Sequence, residues 1–403
     1  MEAAKPDAFI FYEYPKLLDQ SREAVAGLLH APTDTVVFVS NTTMAINTVL
    51  RNLEWADDKL DEILHFNTIY GGCGKTVDYI VDSNHGRVSS RIVDLQYPIK
   101  DEEILTRFRT AIEDSRAEGK RPRICILDTV TSAPGVRFPF EAVTAECREA
   151  GILSLIDGAH GIGMIDLDLS NLDPDFFVSN CHKWLLVPRG CAVFYVPIRN
   201  QHLIRTTLPT SHRYVPKAGS SRRNPLPPSQ NSAFVSMFEF VGTVDSAPYL
   251  CVKDVIEWRQ RVLGGEEKIH TYILDLARQG GKEVAQILGT EVLKTSSGSL
   301  TDCAMVNIAL PLVFEDVGEL VGEGGAGYAA DMKIPRKDEE QISEWMRQRS
   351  IHDYNTYFMF FTLGNRYWVR LSAQVYLSIQ DFVWAGETLR EFCGRIGKLE
   401  YLE

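Results

Sequence analysis

Short, wholly apolar runs alternate with amphipathic stretches through the first half of the chain. Runs at Val36–Val39, 62–66, 124–128, 152–157, 176–179 and 192–196 read as strands. Between them, 44–53, 74–83, 102–116 and Phe140–Ala150 carry the apolar spacing of helices buried on one face. Fully apolar strands alternating with helices predict an α/β fold with a mostly parallel sheet, flanked by helices on both faces. Beyond about Tyr249 the pattern changes. One long helical stretch, 252–288, precedes strand-like runs at 304–310 and 368–373, the pattern of a smaller α+β C-terminal domain. The expected division is an N-terminal segment at 1–30 that joins the small domain, a large domain at 31–248, and the small domain at 249–403. The proline-rich passage 209–228 reads as an ordered loop, because an apolar run resumes at 234–241. Gly322-Glu323-Gly324-Gly325-Ala326-Gly327 reads as a flexible loop, since it lacks the strand-then-helix setting of a nucleotide fingerprint.

Ligands of such sheets bind beyond the carboxyl ends of the strands. Asp128, Asp157 and Lys183 all fall at or just past such ends. Asp157-Gly158-Ala159-His160 closes one apolar run, and Asn180-Cys181-His182-Lys183-Trp184 follows the next. A lysine amine that forms an imine with an aldehyde, and an aspartate that keeps a pyridine nitrogen protonated, are what pyridoxal phosphate needs from a protein. Upstream, Ser40-Asn41-Thr42-Thr43-Met44 runs from a strand into a helix. Backbone N–H groups, two hydroxyls and the helix dipole would meet a phosphate there, although simple capping by Asn41 or Thr42 explains the same residues.

Composition narrows the class. Charged residues make up 24%, hydrophobic ones 45%, and the net charge of −12 argues against nucleic acid as a partner. No run is long enough to span a membrane, and the start lacks a signal-peptide pattern, so a cytoplasmic protein is expected. Eight scattered cysteines with no CxxC pair predict reduced thiols and no metal site. Between Asp175 and Glu239 there is no acidic residue, while Lys183, Arg189, Arg199, Arg205, Arg213, Lys217, Arg222 and Arg223 are all present. A positive field around Lys183 would suit an anionic cofactor and a substrate carboxylate.

Taken together, these motifs resemble the fold-type I pyridoxal phosphate enzymes of the class V aminotransferase group, which includes cysteine desulfurases and isopenicillin N epimerase-like proteins. The resemblance implies that Lys183 binds the cofactor aldehyde and Asp157 the pyridine nitrogen. It puts His160 at the phenolic oxygen, and Thr42, Thr43, His182 and Asn180 at the phosphate. Ser132 belongs to the same cofactor-binding set. Phe240-Val241-Gly242-Thr243 resembles the segment whose threonine reaches the phosphate of a neighbouring subunit, which implies a homodimer. Arg370 in Val369-Arg370-Leu371-Ser372 matches the arginine that clamps a substrate α-carboxylate.

Within the group, 66–76, 199–205 and 372–376 are most similar to fungal hercynylcysteine sulfoxide lyases of ergothioneine biosynthesis. In that subgroup Tyr70 takes the ring-stacking position, where a phenol could also protonate a leaving sulfur. The implied reaction is β-elimination from an amino-acid substrate, a cysteine-conjugate sulfoxide. The aromatic stretches 9–14 and 354–361 are candidates for a cation–π surface toward a trimethylammonium, or for core packing. The resemblance also implies an Asn-His-Gly-Ser-Phe-Gly-type segment near the substrate carboxylate, and the sequence begins downstream of it at Met1-Glu2-Ala3-Ala4. Related enzymes of loline-type alkaloid metabolism would use the same cofactor residues on a γ-substituted amino acid. A desulfurase would need a nucleophilic cysteine shortly before Arg370, yet none lies between Cys303 and Cys393.

Overall fold

The computed structural model describes residues 4–219, 222–315 and 331–403, so the glycine-rich run at 322–327 lies outside the described residues. The chain divides into two compact units. The first holds the chain through Leu95, then Asp101–Val130 and Phe138–Glu266; the second holds Gln96–Lys100, Thr131–Arg137 and Glu267–Glu403.

The first unit contains β1 (Val36–Val39), β2 (Asp61–Phe66), β3 (Val88–Val93), β4 (Arg121–Asp128), β5 (Leu153–Asp157), β6 (Phe176–Asn180) and β7 (Ala192–Tyr195). They form one sheet in the order β1-β7-β6-β5-β4-β2-β3. Pairing is parallel from β3 across to β6, and only β7 runs against the rest. Helices Thr42–Asn52 and Gly71–Ser83 follow β1 and β2, and their apolar faces, with Ile46, Val49, Val77 and Ile80, pack onto Ile63, Ile126 and Val178 of the sheet. Each such buried side chain contributes about 1.5–3 kcal/mol relative to exposure. The expected strands and helices of this half are found with small boundary shifts. The exception is β3 at the sheet edge, whose sequence Val-Ser-Ser-Arg-Ile-Val has three polar residues in a row and gives no apolar run.

The second unit carries β8 (Met305–Phe314), β9 (Met332–Ile334), β10 (Met359–Leu363) and β11 (Arg366–Ser372) in the order β10-β11-β8-β9. In this unit Phe358 and Phe360 pack around Phe392, at centroid distances of 6.5 and 6.3 Å, which assigns those aromatics of 354–361 to core packing.

Helix Tyr14–Leu28 belongs to the first unit, where it packs against helix Ala247–Val262. One expectation is corrected: the expected 252–288 helix is two helices, Ala247–Val262 and Glu266–Leu288. Gly264 and Gly265 break it at φ of 87° and 94°, a backbone region open to glycine and closed to a continuing right-handed helix.

Arg259 ends the first of these helices with no solvent exposure at all. Its Nε and Nη2 donate to Glu266 at 2.6 Å each, while Nη1 and Nη2 donate to the carbonyls of Trp184 and Gly163 at 3.0 and 3.2 Å. Removing one partner of such a pair leaves a buried charge uncompensated. Glu266→Ala is expected to lower the unfolding free energy by about 3–5 kcal/mol, read by urea denaturation. A shift under about 1 kcal/mol would mean that Arg259 is adequately satisfied by the two carbonyls alone.

Candidate functional site

Neighbouring strands β4 and β5 end in register on Asp128 and Asp157. Gly158 follows, pressed flat on β6: a Cβ there would sit 2.6 Å from the Phe177 ring and 2.8 Å from the Val178 carbonyl oxygen. Gly158 N–H donates to that same carbonyl at 2.7 Å. Ser179, at the end of β6, donates to the Gly158 carbonyl and accepts from Ile162 N–H at 2.9 Å. These bonds stitch the turn after β5 to the end of β6. His160 is thereby brought beside Lys183, with its Nε2 3.0 Å from Lys183 Nζ, while its Nδ1 accepts the Trp184 indole N–H at 3.0 Å.

Asp157 is only 3% exposed. One carboxylate oxygen accepts Ala159 N–H at 2.9 Å, and the other accepts the Cys73 thiol at 3.4 Å. Burial pushes the Asp157 carboxyl up from the usual range, while the hydrogen bonds from Ala159 N–H and Cys73 draw it back. Asp128 is pushed up by burial and by Asp157 together. The pair is poised to hold a positively charged group between strand ends.

The segment expected to meet a phosphate lies where β1 enters helix Thr42–Asn52. Asn41 is an extended N-cap whose side chain accepts Met44 N–H at 2.8 Å. Asn180 accepts Thr42 N–H at 3.0 Å, so part of its side chain serves the backbone. The Thr42 hydroxyl is buried without a protein partner. Thr43 is half-buried beside it. His182 Nδ1 lies 2.7 Å from the Cys191 carbonyl oxygen and 3.2 Å from the Cys191 backbone nitrogen, and burial lowers its pKa. Tyr70 stands at the head of helix Gly71–Ser83 with 53% exposure.

The remaining expected site residues are described within their own units. Ser132 and Arg370 belong to the second unit, where Arg370 Nη1 donates to the Ser132 carbonyl and hydroxyl. Arg370 faces Asn307 across the β8–β11 register, and Asn307 clamps both the N–H and the carbonyl of Gly135 at 2.8 Å. Arg370 Nε is buried without a partner, and burial lowers the guanidinium pKa. Thr243 is exposed in an irregular segment of the first unit. The expected positive field is partly neutralised: Arg199 pairs with Asp173, Arg213 with Glu239 and Lys217 with Glu54.

The model of the class V aminotransferase family matches residues 12–328. The chain belongs to the class V aminotransferase family. An L-cysteine desulfhydrase-like protein of Epichloe uncinata is 36% identical over 405 residues, covering 98% of this chain and 87% of the relative. Hercynylcysteine sulfoxide lyase of Schizosaccharomyces pombe is 31% identical over 391 residues, 97% of this chain and 87% of that protein. Among solved structures, the cystine C–S lyase C-DES in complex with cysteine persulfide gives a TM-score of 0.69 at 19% identity, covering 94% of this chain and 87% of that one. That likeness shows the shared fold, fold type I.

Class V enzymes work with pyridoxal phosphate, and the residues of this chain fit it. The orphaned Thr42 hydroxyl at the start of an eleven-residue helix suits the phosphate. The buried Asp157 carboxylate would suit a protonated pyridine nitrogen, and Lys183 would supply the amine. Sequence motifs point to these three. They did not reveal that Cys73 bonds to Asp157 or that Trp184 bonds to His160, because both are contacts of residues whose composition alone suggests packing. Thr42→Val keeps the shape and removes the hydroxyl. It is expected to leave folding stability unchanged and weaken cofactor retention about 10–100-fold, as for a lost hydrogen bond to a charged group, measured by equilibrium dialysis.

Proposed function

We propose that this class V enzyme is a carbon–sulfur lyase that acts on a cysteine-conjugate sulfoxide, releasing a sulfenic acid, pyruvate and ammonia. The burial of its thiols carries this reading. A desulfurase needs a mobile cysteine to take the sulfur. Seven of the eight cysteines are buried, and Cys251 is half-buried. Cys73, nearest in sequence to Tyr70, is fully enclosed, and burial and the Asp157 charge push its thiol pKa far up. A thiol kept protonated is a poor nucleophile. The sulfur then departs on its own substituent. The names of the Epichloe and Schizosaccharomyces relatives support this direction.

When bound, the cofactor supplies an electron sink for the pair left on the substrate Cα. Lys183 takes the α-proton, and Asp157 keeps the sink charged. Arg370, with its buried and unpartnered Nε, is proposed to hold the α-carboxylate. Tyr70 is proposed to protonate the departing group. The Cβ–S bond breaks with both electrons going to sulfur, which gains a proton as the sulfenic acid. The Cα pair closes the carbon–carbon double bond, and the three-carbon remainder takes up water to give pyruvate and ammonia. Thr243, exposed in the first unit, is proposed to complete the phosphate site of a second copy in a homodimer. A second reading, with free L-cysteine as substrate and sulfide as product, is favoured by the name of the Epichloe relative.

Pyruvate formation from an S-alkyl cysteine sulfoxide and from L-cysteine separates the two. The proposal expects a larger kcat/KM for the sulfoxide. A larger value for cysteine would replace the substrate, and no pyruvate from either would remove the lyase. Tyr70→Phe is expected to slow pyruvate release by about 10²–10⁴-fold, the worth of general acid assistance. Exchange of the α-proton with solvent should persist in that variant, because it depends on Lys183. A parent rate of pyruvate release would show that the phenol gives no proton.

A further inference from the structure

Trp184 directly follows Lys183 and is 5% exposed. Its indole nitrogen is a donor only, so Nδ1 of His160, 3.0 Å away, must be the acceptor. The single proton of a neutral imidazole then sits on Nε2, which lies 3.0 Å from Lys183 Nζ. A proton at that distance needs a lone pair to meet. An ammonium has none, and an amine has one. We propose that Trp184 is a positioning residue that fixes the His160 proton on Nε2 and thereby holds Lys183 as the neutral amine, the form able to capture pyridoxal phosphate.

The geometry is braced from behind. The Trp184 carbonyl accepts from Arg259, which is itself held by Glu266. The indole is thus fixed on its backbone side by a buried ion pair and on its ring side by His160. Several titratable groups act on this row. Asp157 and Asp128 lie at the ends of β5 and β4, Cys73 on helix Gly71–Ser83, and His182 next to Lys183 in the chain. Asp157 opposes the proposal, because a carboxylate favours an ammonium. Asp128 opposes it less, since burial and Asp157 favour its neutral acid. The Cys73 thiol stays protonated, and His182, with Arg189 acting on it, is kept neutral. The His160 contact is what counters Asp157.

The inference rests on Lys183 being the cofactor-binding lysine. Capture joins Nζ to the aldehyde carbon and releases water, formed from the aldehyde oxygen and the two amine protons, so no oxidant or reductant is needed. The test mixes pyridoxal phosphate with cofactor-stripped, full-length protein and follows capture by visible absorbance from about pH 6 to 9, well below the ~10.4 of an unperturbed lysine. The parent rate should be nearly flat with pH. Trp184→Phe keeps the ring in the core and removes the donor; its rate should fall about tenfold for each unit of acidification, as the ammonium form takes over. A flat profile in that variant would overturn the proposal. If Trp184→Phe does not fold, His160 decides. The amide of His160→Gln can accept from the indole and donate to the amine, so its profile should stay flat. His160→Glu accepts from both and should give the steep profile. A steep Gln variant or a flat Glu variant would overturn the proposal. Lys183→Ala should show no capture at all; capture in that variant would instead remove the cofactor assignment, a failure distinct from that of the Trp184 inference.

Discussion

A carboxyl group buried at the end of a strand is the constraint from which the rest of the first unit follows. Asp157 and Asp128 sit side by side where β5 and β4 end, enclosed by apolar side chains. Burying two carboxyls costs free energy that hydrogen bonds recover only in part. Here the recovery comes from one backbone N–H and one thiol on Asp157. The unrecovered part leaves the site receptive to a cation of the right shape. A protonated pyridine, the proposed partner of Asp157, would answer that need.

The protons around this carboxyl are arranged by residues that look inert. Cys73 donates to Asp157, and Trp184 donates to His160, which in turn meets Lys183. Each link has a fixed polarity, because an indole only donates and an ionised carboxylate only accepts. The same burial that makes Cys73 a donor to Asp157 keeps its thiol protonated, so the proposed cofactor position and the proposed elimination share one physical cause.

Much of this was legible in the sequence because the large unit is made of apolar strands that end on chemistry. Asp157 and Lys183 follow apolar runs, and Thr42 opens an amphipathic helix, so strand ends and helix starts could be found by period alone. β3 escaped because this edge strand carries Ser89, Ser90 and Arg91 at its centre and so shows no apolar run. The Gly264-Gly265 break escaped because the apolar spacing continues across it, and only the backbone angles reveal the stop. The partners of Cys73, His160 and Arg259 escaped for a different reason. Their bonds join positions 84, 24 and 75 residues apart, and no local pattern encodes such distances. The contact of Tyr14–Leu28 with Ala247–Val262 is another long-range pairing of this kind.

The most direct test of the central constraint is the behaviour of Asp157→Asn, which keeps the size of the side chain and removes its charge. The readout is exchange of the substrate α-proton with solvent deuterium, followed by NMR in protein that has been shown by its absorbance to carry the cofactor. If the buried carboxylate keeps the pyridine nitrogen protonated, binding should persist while exchange slows by about 10²–10³-fold, the typical loss when one preorganised electrostatic group is removed. Exchange at the parent rate in the cofactor-loaded variant would contradict the account, because Asp157 would then be a structural carboxyl with no part in stabilising charge.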